Sequence, residues 1–187
     1  MEAAPQAEGL GCSLSLLFDP PMTNLSGQVM TLLGLQYNRA FYRDTVFLLL
    51  LAIGPVTWFL TAVLFRFQPL PWHSVWSSAF LSVALWQPVL EELLFRGLVQ
   101  GHLMLTTWGQ KTWSCLTAAN IMTSLLFTLA HLTSHSLSWS FLVFAPSLCF
   151  GVVRDRFSSV YPAIVLHAFY NAGYFLLTGG VTLQGSR

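Results

Sequence analysis

Ionisable side chains are missing from four long stretches of this chain. Residues 45–65, 67–90, 112–153 and 157–186 hold no Asp, Glu, Lys or Arg. A helix needs about 20 mostly apolar residues to cross the hydrocarbon core of a bilayer. The third stretch, 42 residues long, has room for two such helices with a turn at Thr133-Ser134-His135-Ser136. The expected fold class is therefore all-α, a multi-pass transmembrane bundle with spans at 45–65, 76–104, 113–133, 137–153 and 157–178. Pro88 stands in the middle of the second span, where it should kink the helix or split it. A re-entrant second segment would raise the count from five to six.

Composition narrows the class further. Only 8% of the 187 residues are charged and 55% are hydrophobic, against about 25% charged in an average soluble domain. The mean hydropathy is +0.63. One lysine, Lys111, and a net charge of +1 make no electrostatic footprint for nucleic acid. The partners expected are the bilayer itself and a membrane-anchored protein or peptide. Cys12, Cys115 and Cys149 form no CxxC pair, so neither a disulfide framework nor a thiolate metal site is expected.

Residues 1–44 lack the basic start and the apolar run of a signal peptide. They are read as a tail, with an interfacial helix over 25–36 or with little order. Residues 45–178 form the bundle, and 179–187 a C-terminal tail. Basic residues mark the cytosolic side. A cytosolic N-terminus puts Arg39, Arg43, Lys111, Arg154 and Arg156 inside, and Arg66 and Arg187 outside. Five against two places the C-terminus outside.

Ionisable groups within membrane segments are costly, and they face an interior cavity and a function. Here they form three groups: Glu91-Glu92 with Arg96, His131 after Phe127, and His167 with Asn171. Glu92 and Arg96, four residues apart, share a helical face and can pair. Glu91 points about 100° away and lacks a partner in its own segment. A carboxylate so placed is suited to general acid–base chemistry. His167 and Asn171 also share a face, as two neutral donors for an oxyanion would. Structural readings compete with each: a salt bridge for Glu92–Arg96, a packing histidine for His131, and helix-to-helix hydrogen bonding for His167 and Asn171.

EExxxR, FxxxH and HxxxN stand complete and in order. With them, the chain resembles the CPBP (Abi) family of glutamic-type intramembrane proteases, related to the type II CAAX prenyl endopeptidases. The resemblance covers residues 76–175. It implies hydrolysis of a peptide bond at or in the membrane with no cofactor and no metal. Glu91 and His131 would activate water, His167 and Asn171 would hold the oxyanion, and Glu92 and Arg96 would support the helix. The small size resembles the bacterial members, which implies a bacterial inner membrane. Two other readings stay open. One is a zinc-dependent protease, since His131 and His135 are spaced as two ligands on one helix would be. The other is a membrane protein that holds a peptide without cutting it, such as a bacteriocin-immunity protein.

Overall fold

The computed structural model describes residues 25–37, 40–65, 69–134 and 137–179. The sequence readings at Cys12, Arg39, Arg66, His135, Ser136 and Arg187 lie outside the described residues, as do 1–24 and 180–187. Helix α1 (Leu25–Leu32) lies within the segment 25–36. Helix α2 (Thr45–Phe65) coincides with the first expected span. Asp44 caps its start, its Oδ1 accepting from the backbone N–H of Val46 and Phe47. A 3₁₀ turn at Trp72–Trp76 leads into α3 (Ser78–Leu103), continuous through Pro88.

The chain is mostly helical, as expected, and among the described residues a short hairpin interrupts the helices between 112 and 117. Strands β1 (Thr112–Trp113) and β2 (Leu116–Thr117) pair antiparallel there. Ser114 takes φ 59°, the positive value that a two-residue hairpin turn needs. The third expected span consequently shortens to α4 (Ala118–His131), whose start is set by Thr117 accepting from Asn120 N–H. The fourth breaks into α5 (Leu137–Leu142) and α6 (Phe144–Phe157). Pro146 has no N–H to give the Leu142 carbonyl, and the helix is interrupted at Val143 between the two. Helix α7 (Tyr161–Thr178) begins with Pro162 in its first turn, where a missing N–H costs nothing.

Helix α7 is the central post, packed against α2, α3 and α6. At Gly173 a Cβ would stand 2.1 Å from the Trp58 ring, so only glycine lets α2 come so close. The Trp58 indole donates to the Tyr170 carbonyl. Phe47, Phe150, Val153, Ala163 and Leu166 form the apolar core near one end. That end also gathers Arg43, Lys111, Arg154 and Arg156, because α2, α4 and α7 start there while α3 and α6 finish there.

Polar and apolar residues are distributed inside out. On α3, Glu92, Arg96 and Gln100 are fully buried, whereas Leu90, Leu94 and Leu98 are 44–50% exposed. Asn120, Ser124 and Ser147 are buried on the facing helices, and Leu125, Leu129 and Phe141 are turned outward. A water-soluble domain does the reverse with its charged groups. By length and composition, one helix among the described residues, Ser78–Leu103, is long and apolar enough to cross a membrane, and Ala118–His131 is a shorter apolar helix.

Candidate active site

Two wide turns shape α3. Pro88 supplies no N–H, and the helix answers with a π turn over Ser82–Trp86, in which Gln87 N–H reaches the Ser82 carbonyl five residues back. In that register the Val83 carbonyl would look to position 88 and find proline. Asn171 on α7 fills the gap, its Nδ2 donating to Val83 O at 3.0 Å. A second π turn spans Leu93–Val99, directly after the acidic pair. π turns are rare and occur often at functional sites.

The second turn carries Arg96, which is fully buried. Its Nε lies 3.5 Å from Glu92 Oε2, the pair expected from the spacing. Its Nη2 donates to both the carbonyl and the hydroxyl of Ser147, each at 2.7 Å. The guanidinium also sits over the rings of Phe127 and Phe150. A buried charge persists only when paired and hydrogen-bonded in this way.

Glu92 has a second partner that spacing does not reveal. His167 Nδ1 donates to Glu92 Oε1 at 2.8 Å. The His167 ring stacks on Phe150 at 4.6 Å and meets Phe127 edge-on. With Nδ1 so engaged, Nε2 faces Glu91, 3.7 Å from its Oε2. Glu91 and Glu92 are adjacent yet differ in surroundings. The Glu91 side chain is 31% exposed and that of Glu92 not at all. The first therefore opens toward whatever enters the site, and the second belongs to the scaffold.

His131 reaches the same region from α4. Its Nδ1 donates to the Phe127 carbonyl at 2.9 Å, and its ring packs 4.4 Å from Phe127. The backbone bond fixes the tautomer and leaves Nε2 able to accept a proton. The structure thus brings His131 and His167 to the same ring, that of Phe127, with Glu91 beside His167. Asn171 sits one turn beyond His167, with one amide hydrogen on Val83 and one left over. Ser147 and Phe150 escape sequence reasoning, since a serine and a phenylalanine in an apolar helix carry no signal of their own.

A family model matches residues 71–173, that of the type II CAAX prenyl endopeptidase Rce1-like proteins. The chain belongs to this family. No curated protein and no solved structure matches it. The Rce1-like match runs from the turn before α3 to Gly173 on α7, and so contains Glu91, Glu92, Arg96, His131, His167 and Asn171. The Rce1-like proteins are membrane-embedded proteases, in agreement with the long apolar helix α3. Helices α1 and α2 lie before the matched region. Among the described residues no three His, Cys, Asp or Glu side chains are placed to hold a metal ion.

Proposed function

We propose that this Rce1-like chain is a multi-pass intramembrane endopeptidase that hydrolyses a peptide bond of a membrane-associated protein, with a glutamate and a histidine activating the water. The observation that carries this reading is the placement of Glu91, the exposed member of the acidic pair, 3.7 Å from the His167 imidazole on another helix. Water adds to the scissile carbonyl carbon as its proton passes to Glu91, and the carbonyl oxygen takes the negative charge. When the C–N bond breaks, the proton goes on to the amine, leaving a carboxylic acid and an amine. His131 fits beside the base because its Nε2 can accept. Asn171 fits the oxyanion side through its second amide hydrogen, and His167 Nε2 joins it as a donor only when the ring is imidazolium, since Nδ1–H is already given to Glu92. Glu92 and Arg96 support them.

In this reading α2, α3, α4, α5 with α6, and α7 are five crossings of a bacterial inner membrane. The N-terminus is cytosolic, and the substrate carries a membrane anchor. The test is a set of peptides with prenyl or transmembrane anchors and a fluorophore–quencher pair, reconstituted with the full chain in proteoliposomes. Cleavage is expected, with new termini found by mass spectrometry, persisting in 1,10-phenanthroline and absent in Glu91→Gln. Cleavage that survives Glu91→Gln, or that the chelator abolishes, refutes the mechanism.

A further inference from the structure

The second π turn of α3 leaves one carbonyl to be satisfied from elsewhere. In an α-helix Gln100 N–H would bond the Arg96 carbonyl, four residues back. Here it bonds the Phe95 carbonyl instead. Arg154, in the last turn of α6 and 7% exposed, takes the bypassed group, with Nε donating to Arg96 O at 3.1 Å. Its Nη2 donates to the Leu32 carbonyl at 3.2 Å, at the end of α1. The guanidinium therefore lies against the negative end of one helix and a vacated carbonyl of another, which compensates its buried charge.

Helix α6 holds Arg96 at two points. Ser147 binds its guanidinium and Arg154 its carbonyl, and these two lie seven residues apart, two turns along one face. Between them the Gly151 carbonyl accepts from Gln100 Nε2. Close approach of α1 depends on Gly101, where a Cβ would stand 2.2 Å from Leu32 O. Asn171 plays the same part at the first π turn, taking the Val83 carbonyl. Each irregular turn of α3 thus has its loose carbonyl held by a side chain from a neighbouring helix.

We infer that Arg154 is a positioning residue for hydrolysis: by holding the Arg96 carbonyl it keeps the wide turn in register, and with it Glu91 and Glu92 against His167. This rests on the reading of Glu91 and His167 as parts of the reacting site. Arg154 touches no reacting atom, so its loss acts through geometry. A misplacement of about 1 Å can cost on the order of 100-fold in turnover.

The test uses the full chain in nanodiscs with ¹⁵N-labelled histidine. In the wild type, His167 should show one deshielded Nδ1–H signal, from its bond to Glu92. Arg154→Gln should broaden or lose that signal, and lower kcat roughly 10- to 100-fold with KM nearly unchanged. Arg154→Lys keeps the charge and reaches only one carbonyl, so it should recover part of both. A folded Arg154→Gln protein with the wild-type signal and kcat overturns the inference. If Arg154→Gln does not fold, the same two readings on Arg154→Lys decide: wild-type values there overturn it. If the wild type cleaves none of the anchored peptides, the hydrolytic reading fails on its own, while the His167 signal still tests Arg154.

Discussion

His167 and Glu92 share a hydrogen bond of 2.8 Å between Nδ1 and Oε1, across 75 residues of sequence. The bond makes Glu92 the link between Arg96 on its own helix and the imidazole on α7. Its neighbour Glu91 is left as the carboxylate open to a substrate. Adjacent glutamates thus have different tasks.

That division predicts opposite outcomes for two equivalent changes. Glu92→Gln leaves Arg96 buried and uncompensated, and unfolding should become easier by about 3–5 kcal/mol. Glu91→Gln should unfold close to the wild type and fail to cleave. Thermal unfolding followed by helical circular dichroism, run beside the peptide assay, separates them. A Glu91→Gln protein with normal turnover would remove Glu91 from the chemistry.

Asn171 should be sensitive to charge as well as to loss. Asn171→Ala removes a donor to the developing oxyanion, and kcat should fall about 100- to 1,000-fold. Substrate should still crosslink, because that interaction grows only in the transition state. Asn171→Asp keeps the shape but sets a negative charge beside the Val83 carbonyl and the oxyanion, so it should be at least as damaging. Full activity in Asn171→Asp would remove Asn171 from the oxyanion site.

Asp44 predicts a small acid-side loss of stability. Its two oxygens take three hydrogen bonds from the Arg156 guanidinium, the shortest at 2.8 Å. These hydrogen bonds outweigh burial and, with the N–H groups of Phe47 and Val46 and the Arg156 charge, hold its carboxyl below the ordinary value near 3.8. A carboxyl lowered by folding stabilises above its unfolded pKa and loses that contribution as pH falls through the folded one. The loss should therefore appear below about pH 4. Arg156 is 35% exposed, so solvent screening limits the pair to about 0.2–1 kcal/mol. Unfolding of Asp44→Asn between pH 3 and 7 should show a flatter acid limb than the wild type, and an equally steep limb would rule the pair out.

Gly101→Ala should lift α1 from the bundle. The new Cβ would collide with the Leu32 carbonyl, which is backbone and cannot swing aside. Hydrogen exchange should rise over residues 25–34 and stay slow over α7. Unchanged exchange in both segments would mean that α1 is held by other contacts.

Five crossings with a cytosolic N-terminus put the C-terminus on the outer face. A C-terminal alkaline phosphatase fusion should be active, and the matching green fluorescent fusion dark. The opposite pattern would overturn either the count or the orientation.

Much of this protein is legible residue by residue. The charge-free stretch 45–65 places α2, since exclusion of ionisable groups from lipid acts on each side chain separately. Helix α3, in contrast, runs on past the stretch 67–90 through Glu91, Glu92 and Arg96. The motif residues Glu91, Arg96, His131, His167 and Asn171 stand out because each is costly in an apolar segment. The break at Pro146 and the hairpin at Ser114–Cys115 are harder to read. They depend on a carbonyl left without a donor and on one positive φ, and both are invisible to hydropathy.

The sequence by itself determines which groups must be buried together, for a carboxylate, a guanidinium and two imidazoles in apolar helices have nowhere else to be satisfied. It also determines that α3 cannot keep a regular ladder past Pro88. Only the tertiary structure decides how the ladder is repaired and who bonds whom. The wide turns persist because Asn171 and Arg154, on α7 and α6, hold the carbonyls at Val83 and Arg96. Glu92 takes His167, and Glu91 stays open, because α7 crosses α3 at that height. Hydrogen-bond register within one helix is a local choice between nearly equal alternatives, and the partners offered by neighbouring helices settle it.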